Sequence, residues 1–149
     1  MIVYCDGAAR GNPGPAGIGA VVSSSNGEVL AEVAEGIGVA TNNVAEYRAA
    51  LEGLWQAKEL GAREVLVRSD SRLLVEQLSG RFRVKNPTLM RLHSEVRDLI
   101  KNFDSVSFEH VPRELNKHAD RLANEGVDDW LAGVGRDYQP PGPPASLLD

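Results

Sequence analysis

The chain has 149 residues, a formal net charge of −5 and a hydrophobic content of 42%. This length suits one domain whose core is large enough to fold without cross-links, and the single cysteine, Cys5, excludes a disulfide within the chain. The sequence contains neither an apolar run of the roughly 18 residues that a membrane span needs nor a secretory signal pattern. A cytoplasmic protein is therefore expected.

The hydrophobic pattern predicts nine elements in the order β-β-β-α-β-α-α-β-α. They are strands at 1–5, 19–23 and 29–36, a helix at 44–60, a strand at 64–69, helices at 73–78 and 87–103, a strand at 106–111 and a helix at 116–131. A Gly- and Pro-rich loop is predicted at 10–17, and an Asn-Gly turn joins the second and third strands. Antiparallel strands followed by helical crossovers predict an α/β fold with a mixed five-stranded sheet flanked by helices. We expect a folded domain over 1–132 and a Pro-rich, disordered tail over 133–149.

Charge is distributed unevenly along the chain. Residues 63–121 carry a net charge of +3, whereas the segments before and after carry −4 each. Within the basic part, Arg81, Arg83 and Lys85 surround Phe82 without an acidic neighbour. This pattern is typical of a solvated surface and equally of a nucleic-acid contact.

Four acidic residues stand where a predicted element begins or ends: Asp6, Glu46, Asp70 and Asp120. Each has a structural explanation when taken alone. Asp6 suits a turn, and Asn43 with Glu46 forms a capping-box pattern. Asp70 suits a helix N-cap, and Asp120 complements a helix dipole. In α/β sheets, however, sites form at the carboxyl ends of parallel strands, where Asp6 and Asp70 are predicted to meet.

Four segments carry a resemblance to a known family: DGAARGNPGPAGIGAV at 6–21, TNNVAEYRAALEGL at 41–54, SDSRLLVEQLSG at 69–80 and VPRELNKHADRLAN at 111–124. In their order, separation and predicted elements they resemble a type 1 ribonuclease H, and the resemblance extends over residues 2–132. It implies a ribonuclease H-like fold.

The resemblance also implies that the four acidic residues match the metal-binding carboxylates of the family. Two carboxylates about 4 Å apart repel by roughly 4 kcal/mol at an effective dielectric near 20, so a cluster of four must take up protons or cations. Hard oxygen ligands suit Mg²⁺ or Mn²⁺. The family implies an endoribonuclease that uses two such ions to hydrolyse the RNA strand of RNA–DNA hybrids, leaving 5′-phosphate and 3′-hydroxyl ends.

Substrate contacts are implied at four further positions. Asn12 and Asn42 match residues that contact the minor groove, where an amide can read the 2′-hydroxyl. Thr41 and Asn86 resemble a pocket for a phosphate of the DNA strand. Val39 stands where a basic residue is common, which predicts a weaker grip on that strand.

The sequence departs from the family at two places. The long basic handle found in many members is missing, and Arg81, Arg83 and Lys85 are expected to replace part of it. The loop before the last aspartate is short and lacks the mobile histidine of longer members. Arg113 in this loop is the candidate substitute, while His110 is expected to end the last strand.

Two alternative functions stay open at this point. The chain could be a non-catalytic module that binds hybrids, although the presence of all four acids argues against it. It could also be a nuclease of the same fold that acts on DNA, although Asn12 and Asn42 favour a ribose reader. A monomer with no protein partner and no membrane contact is expected.

Overall fold

A five-stranded sheet organises the protein, whose computed structural model describes residues 1–133. The strands are β1 (Ile2–Ala9), β2 (Gly14–Ser23), β3 (Val29–Ala40), β4 (Glu64–Ser69) and β5 (Ser105–His110). The helices are α1 (Asn42–Glu59), α2 (Arg72–Leu78), α3 (Pro87–Ile100) and α4 (Lys117–Leu131), with a short 3-10 turn at Arg113–Leu115. The strand order is β3-β2-β1-β4-β5, in which β1 to β3 are antiparallel and β4 and β5 run parallel to β1. The predicted mixed sheet is confirmed.

Helices α1 and α4 cover opposite faces of the sheet. Gly7 of β1 contacts α1 at Ala45, whereas Gly19 of β2, which is paired with Asp6, contacts α4 at Ala119. Because successive residues of a strand point to opposite faces, the two helices must lie on different sides. Cys5 of β1 is fully buried in the hydrophobic core.

The first strands are longer than predicted. β1 continues beyond Asp6 to Ala9, and β2 begins at Gly14, inside the predicted loop. Gly7 to Ala9 pair with Ala16 to Ile18, so the second half of the Gly- and Pro-rich segment is sheet. The predicted loop at 10–17 was therefore wrong for its second half, since pairing with β1 outweighs the local preference of glycine and proline for turns. β3 likewise extends to Ala40.

The helix N-caps also differ from the predicted ones. Thr41 caps α1, because its Oγ1 accepts a hydrogen bond from the Val44 N–H at 3.2 Å. The predicted capping box with Asn43 as N-cap was wrong, and Glu46 lies beyond the first turn. Ser71, not Asp70, caps α2, with its Oγ accepting from the Leu74 N–H at 3.2 Å. The Glu46 and Asp70 carboxylates are thus not used for capping.

The tail predicted from residue 133 lies, apart from Gly133, outside the described residues. Among the helices within residues 1–133, none has both the length and the apolar character that a bilayer crossing requires.

Candidate active site

Three carboxylates converge just beyond the point where the parallel pairing of β1 with β4 ends. Tyr4 pairs with Arg68 in the parallel ladder, and two residues further along each chain segment are Asp6 and Asp70. Glu46 reaches the same point from α1, and one carboxylate oxygen from each residue lies within 4.8 Å of the others. We refer to Asp6, Glu46 and Asp70 as the acidic triad. Strand pairing fixes the positions of Asp6 and Asp70, and the packing of α1 fixes that of Glu46.

Glu46 has one oxygen in use and one free. Its Oε1 accepts a 2.8 Å hydrogen bond from the Gly7 N–H. Its Oε2 is buried and has no hydrogen-bond partner among the described residues. A buried carboxylate oxygen without a partner is costly. A divalent cation would supply the missing partner. The triad therefore fits such an ion for two reasons: its ligand atoms are carboxylate oxygens, and one of them, Glu46 Oε2, lacks a hydrogen bond.

Burial and mutual repulsion shift the titration of two carboxyls, those of Asp6 and Glu46. Burial raises the pKa of Asp6 well above its ordinary value, and the charges of Glu46 and Asp70 raise it further. Burial also raises the pKa of Glu46, although the hydrogen bond from the Gly7 N–H partly opposes this. Both carboxyls therefore hold a proton more readily than a free carboxyl does, which is the behaviour expected of crowded acids.

The fourth acid, Asp120, lies at the edge of the same cleft. It stands in the first turn of α4, and its side chain is exposed. It is not part of the acidic triad, whose oxygens are within 4.8 Å of one another. The cleft has a volume of about 360 Å³. Its other lining residues are Gly7, Asn42, Asn43, Ser71 and Arg113.

Arg113 places a positively charged side chain at this acidic cleft. Its Nε lies 3.9 Å from Asp70 Oδ2, and its side chain is 88% exposed. A contact at this distance from so exposed an arginine adds little stability, so the guanidinium is available to a ligand. His110 ends β5, as predicted, and is exposed, but it does not line the cleft. Of the two candidates, the structure places Arg113 beside the carboxylates.

Comparison with known proteins identifies the family. A family described as Reverse transcriptase-like matches residues 4–126. The structure of RNase H1 from Halobacterium salinarum is similar, with a TM-score of 0.84 and 45% identity over 86% of this chain and 97% of that one. The chain belongs to the ribonuclease H family. The expected ribonuclease H-like fold is thereby confirmed.

Two further relatives are similar to this chain. The N-terminal RNase H domain of Rv2228c from Mycobacterium tuberculosis has a TM-score of 0.83 and 51% identity over 85% of this chain and 98% of that one. The present chain spans 39% of the length of the whole Bifunctional protein Rv2228c, at 48% identity. LC11-RNase H1, solved in complex with an RNA/DNA hybrid, has a TM-score of 0.84 and 43% identity over 87% of this chain and 98% of that one.

Asn12 and Asn42 form a linked pair beside the cleft. Asn12 Oδ1 accepts a hydrogen bond from the Asn42 N–H at 3.0 Å, and Asn42 Oδ1 accepts from the Ala9 N–H at 3.1 Å. The pair ties the loop of residues 10–13 to the start of α1. Because both amide oxygens are engaged, their amino groups are the parts available to a ligand.

The other predicted contact residues occupy helix caps and a loop. Thr41 caps α1, and Asn86 caps α3 through a 3.1 Å hydrogen bond from the Leu89 N–H. In the loop between α2 and α3, Arg81 is held by two 2.8 Å hydrogen bonds to Glu76. Arg83 and Lys85 are exposed in the same loop. Glu76 thus offsets the charge of Arg81, while those of Arg83 and Lys85 face solvent.

Two groups of residues at or near the cleft were not predicted from the sequence. Ser71 lines the cleft, and the Ser69 Oγ accepts a hydrogen bond from the Ser71 N–H at 3.0 Å. Asn124 donates to the Asp120 carbonyl oxygen at 3.0 Å and contacts Arg10. The spacing of four residues between Asp120 and Asn124 on a helix was an available signal. Arg10 had none, because its partners are more than 100 residues away in the chain.

Proposed function

We propose that this ribonuclease H domain hydrolyses the RNA strand of RNA–DNA hybrids, leaving 5′-phosphate and 3′-hydroxyl ends. The convergence of the acidic triad, with its oxygens within 4.8 Å, is the observation that carries this proposal. The solved hybrid complex of the similar LC11-RNase H1 supports the choice of substrate.

The side chains that would hold the cations all offer oxygen atoms, which suits Mg²⁺ or Mn²⁺. They are Asp6, Glu46, Asp70 and Asp120. Two such ions, when bound there, would activate a water molecule and stabilise the leaving oxygen of an in-line displacement at phosphorus. The triad provides a rigid base for them, because its members are fixed by strand pairing and by the Gly7 N–H. Asp120 is exposed and completes the set from the other side of the cleft.

Arg113 is proposed to contact the scissile phosphate or its neighbour. Its guanidinium lies at the mouth of the cleft, beside Asp70. Arginine offers a planar set of donors that matches the oxygens of a phosphate. Its exposed side chain is proposed to take the place of the mobile histidine that longer members carry in this loop. His110 is given no part in this proposal because it lies outside the cleft.

Asn12 and Asn42 are proposed to recognise the ribose of the RNA strand. Their amino groups can donate to a 2′-hydroxyl, which DNA lacks. The hydrogen bonds of their oxygens to the Asn42 and Ala9 N–H groups fix the orientation of both amides. A preformed pair of donors lowers the ordering cost of substrate binding.

The DNA strand is proposed to meet the helix caps and the basic loop. Thr41 and Asn86 stand at the N-termini of α1 and α3, where backbone N–H groups favour a phosphate. Arg83 and Lys85 would add charge contacts along the backbone, and Arg81 less so because Glu76 holds it. Hybrid binding is therefore expected to be modest and to weaken with salt.

We further propose that the folded unit, residues 1–132, acts as a monomer in the cytoplasm without a protein partner. All four carboxylates come from one chain, so one copy holds a complete site.

The test is cleavage of an end-labelled RNA–DNA hybrid with Mg²⁺ or Mn²⁺, with the all-DNA duplex and double-stranded RNA as parallel substrates. The wild-type protein should cleave only the RNA strand of the hybrid, and Asp70→Asn should abolish cleavage while preserving the thermal unfolding transition. End-group analysis should give 5′-phosphate and 3′-hydroxyl. Binding of hybrid without cleavage would indicate a non-catalytic module, and cleavage of the all-DNA duplex would indicate a DNA-directed nuclease.

A further inference from the structure

Arg10 connects the end of β1 to a distant helix. Its Nη1 lies 2.7 Å from Asp128 Oδ1 on α4, and its Nη2 lies 3.3 Å from Asn124 Oδ1. Nη2 also approaches the Asn124 carbonyl oxygen at 3.4 Å. A guanidinium can make these contacts simultaneously because its donors point in fixed, separate directions.

Asn124 carries this connection on to the fourth carboxylate. Its Nδ2 donates to the Asp120 carbonyl oxygen at 3.0 Å and lies 3.4 Å from Asp120 Oδ1. The amide of Asn124 thus accepts from Arg10 on one side and donates to Asp120 on the other. A neutral amide between a cation and a carboxylate is polarised by both, which strengthens each hydrogen bond.

The other end of the connection is the loop that holds Asn12. The Arg10 N–H donates to the Pro15 carbonyl oxygen at 2.8 Å, and Asn12 follows two residues later with its Oδ1 bound to the Asn42 N–H. Arg10 is therefore the point at which this loop is fixed both to β2 and to α4.

We propose that Arg10 is a positioning residue that couples the Asn12 loop to Asp120 through Asn124. This inference rests on the proposed function, because it assigns Asn12 to the substrate and Asp120 to the metal site. When the loop engages a hybrid, the guanidinium holds α4 and thereby the Asp120 carboxylate in its place at the cleft. Arg10 itself touches neither the substrate nor the reacting atoms.

The kinetic test is a double-mutant cycle of Arg10→Ala and Asn124→Ala. Each single change should lower kcat about two- to tenfold, which is the worth of one exposed charge-assisted hydrogen bond, with a KM change below about twofold. The double variant should be no slower than the slower single variant, because both changes break one connection. Arg10→Lys should restore the contact with Asp128 and the thermal stability without restoring kcat, since one ammonium cannot also hold Asn124.

The matched control is Arg63→Ala, which removes another exposed arginine that is paired with an aspartate, Asp104, outside the cleft. It should leave kcat unchanged. Multiplicative effects in the cycle, or a loss of kcat in the control equal to that of Arg10→Ala, would overturn the inference.

A second readout does not depend on catalysis. In ¹⁵N-labelled Asp70→Asn protein, which is expected to bind hybrid without cleaving it, addition of hybrid should shift the signals of Asn12 and of the Asn124 side-chain amide. Adding Arg10→Ala should abolish the Asn124 shift and keep that of Asn12. An Asn124 shift that persists would mean direct contact with the hybrid and would contradict the coupling.

Failure of the proposed function can be told apart from failure of the coupling. If hybrid shifts no signal, the substrate assignment is wrong. The connection can then be tested in the free protein, where Arg10→Ala must still shift the NMR signals of the Asn124 side-chain amide and of the Asp120 N–H. Unchanged signals there would overturn the inference whatever the substrate is.

Discussion

The Gly7 N–H donates a 2.8 Å hydrogen bond to Glu46 Oε1, and this contact joins the strand and the helix that carry two members of the acidic triad. It is possible because Gly7 has no side chain. A Cβ at this position would lie 2.3 Å from the Ala45 carbonyl carbon and 2.5 Å from the Glu46 nitrogen. The absence of a side chain at Gly7 therefore allows β1 and α1, and with them Asp6 and Glu46, to lie close together.

Gly7→Ala should separate β1 from α1. Both clashing atoms belong to the backbone and cannot rotate away, so we expect a loss of about 1–3 kcal/mol in the free energy of unfolding. Cleavage activity should fall more than stability does, because the carboxylates move apart. Urea unfolding and hybrid cleavage measure the two effects. Gly27→Ala is the control, since its turn has no atom within 4 Å of the added Cβ and only its φ of +91° is strained; it should lose stability alone.

The metal-free protein should become less stable as pH rises. Burial raises the pKa of Asp6 and of Glu46 in the folded state, so above the ordinary carboxyl value near 4 the folded state binds more protons than the unfolded state. The stability that these protons contribute is present at low pH and is lost as pH rises through the folded-state pKa values. The loss is at most about 1.4 kcal/mol per pH unit for each full proton.

Thermal unfolding in EDTA between pH 5 and 9 measures this effect, and Asp6→Asn should flatten the slope because it removes the carboxyl with the strongly raised pKa. Mg²⁺ or Mn²⁺ should stabilise the protein most at high pH, by about 2.7 kcal/mol at a hundredfold excess over Kd. A melting temperature in EDTA that rises steadily with pH would contradict the assignment of the triad as crowded acids.

Tyr47→Phe should destabilise the protein and loosen the loop between α2 and α3. The Tyr47 hydroxyl donates to Gln77 Oε1 at 2.6 Å within the core, and Gln77 Nε2 in turn donates to the Arg83 carbonyl oxygen at 3.2 Å. Removing the hydroxyl leaves a buried amide oxygen without its donor, at a cost of about 1–3 kcal/mol. Urea unfolding measures the cost, and amide exchange at Arg83 reports on the loop. Tyr4→Phe removes a less buried hydroxyl, bound to Arg68, and should cost less.

Arg83→Ala and Lys85→Ala should each weaken hybrid binding and lower the slope of log K against log salt by about one. Arg81→Ala should have a smaller effect, because Glu76 already holds that guanidinium with two hydrogen bonds. Fluorescence anisotropy with the Asp70→Asn protein at about 50–200 mM salt tests this order. An equal loss for all three residues would show that the pair with Glu76 opens on binding.

Much of the fold could be predicted because its signals are local. The helical spacing of α1 and α4, the Asn-Gly turn after β2 and the apolar β4 each depend on a few neighbouring residues. The segment from Gly14 to Gly17 could not be read in this way. Its glycines and proline are typical of a loop, yet the segment is a strand because it pairs with β1 and β3. The glycine at position 17 is required because α4 packs closely against it.

The candidate site, like the fold, could be predicted only where its signals are local in the sequence. The four carboxylates were found from their positions at element ends and from the family resemblance. The residues that hold them were not, since the Gly7 N–H that binds Glu46 is a backbone group and Arg10 meets α4 only through tertiary structure. Local signals also misplaced the cap of α1, because Thr41 and Asn43 are both good N-caps and packing selects between them.

The contact between Gly19 and α4 has a consequence for how this site can change. Gly19 pairs with Asp6 in the sheet, and a Cβ there would lie 2.1 Å from the carbonyl oxygen of Ala119, next to Asp120. The backbone of β2 packs directly on the backbone of α4 at this point. Backbone atoms cannot move to another rotamer to make room for an added group. The separation of Asp6 and Asp120 across the cleft is thus set by main-chain contact, so a side chain at Gly19 would change it directly, whereas a volume-conserving exchange in the aliphatic core would not.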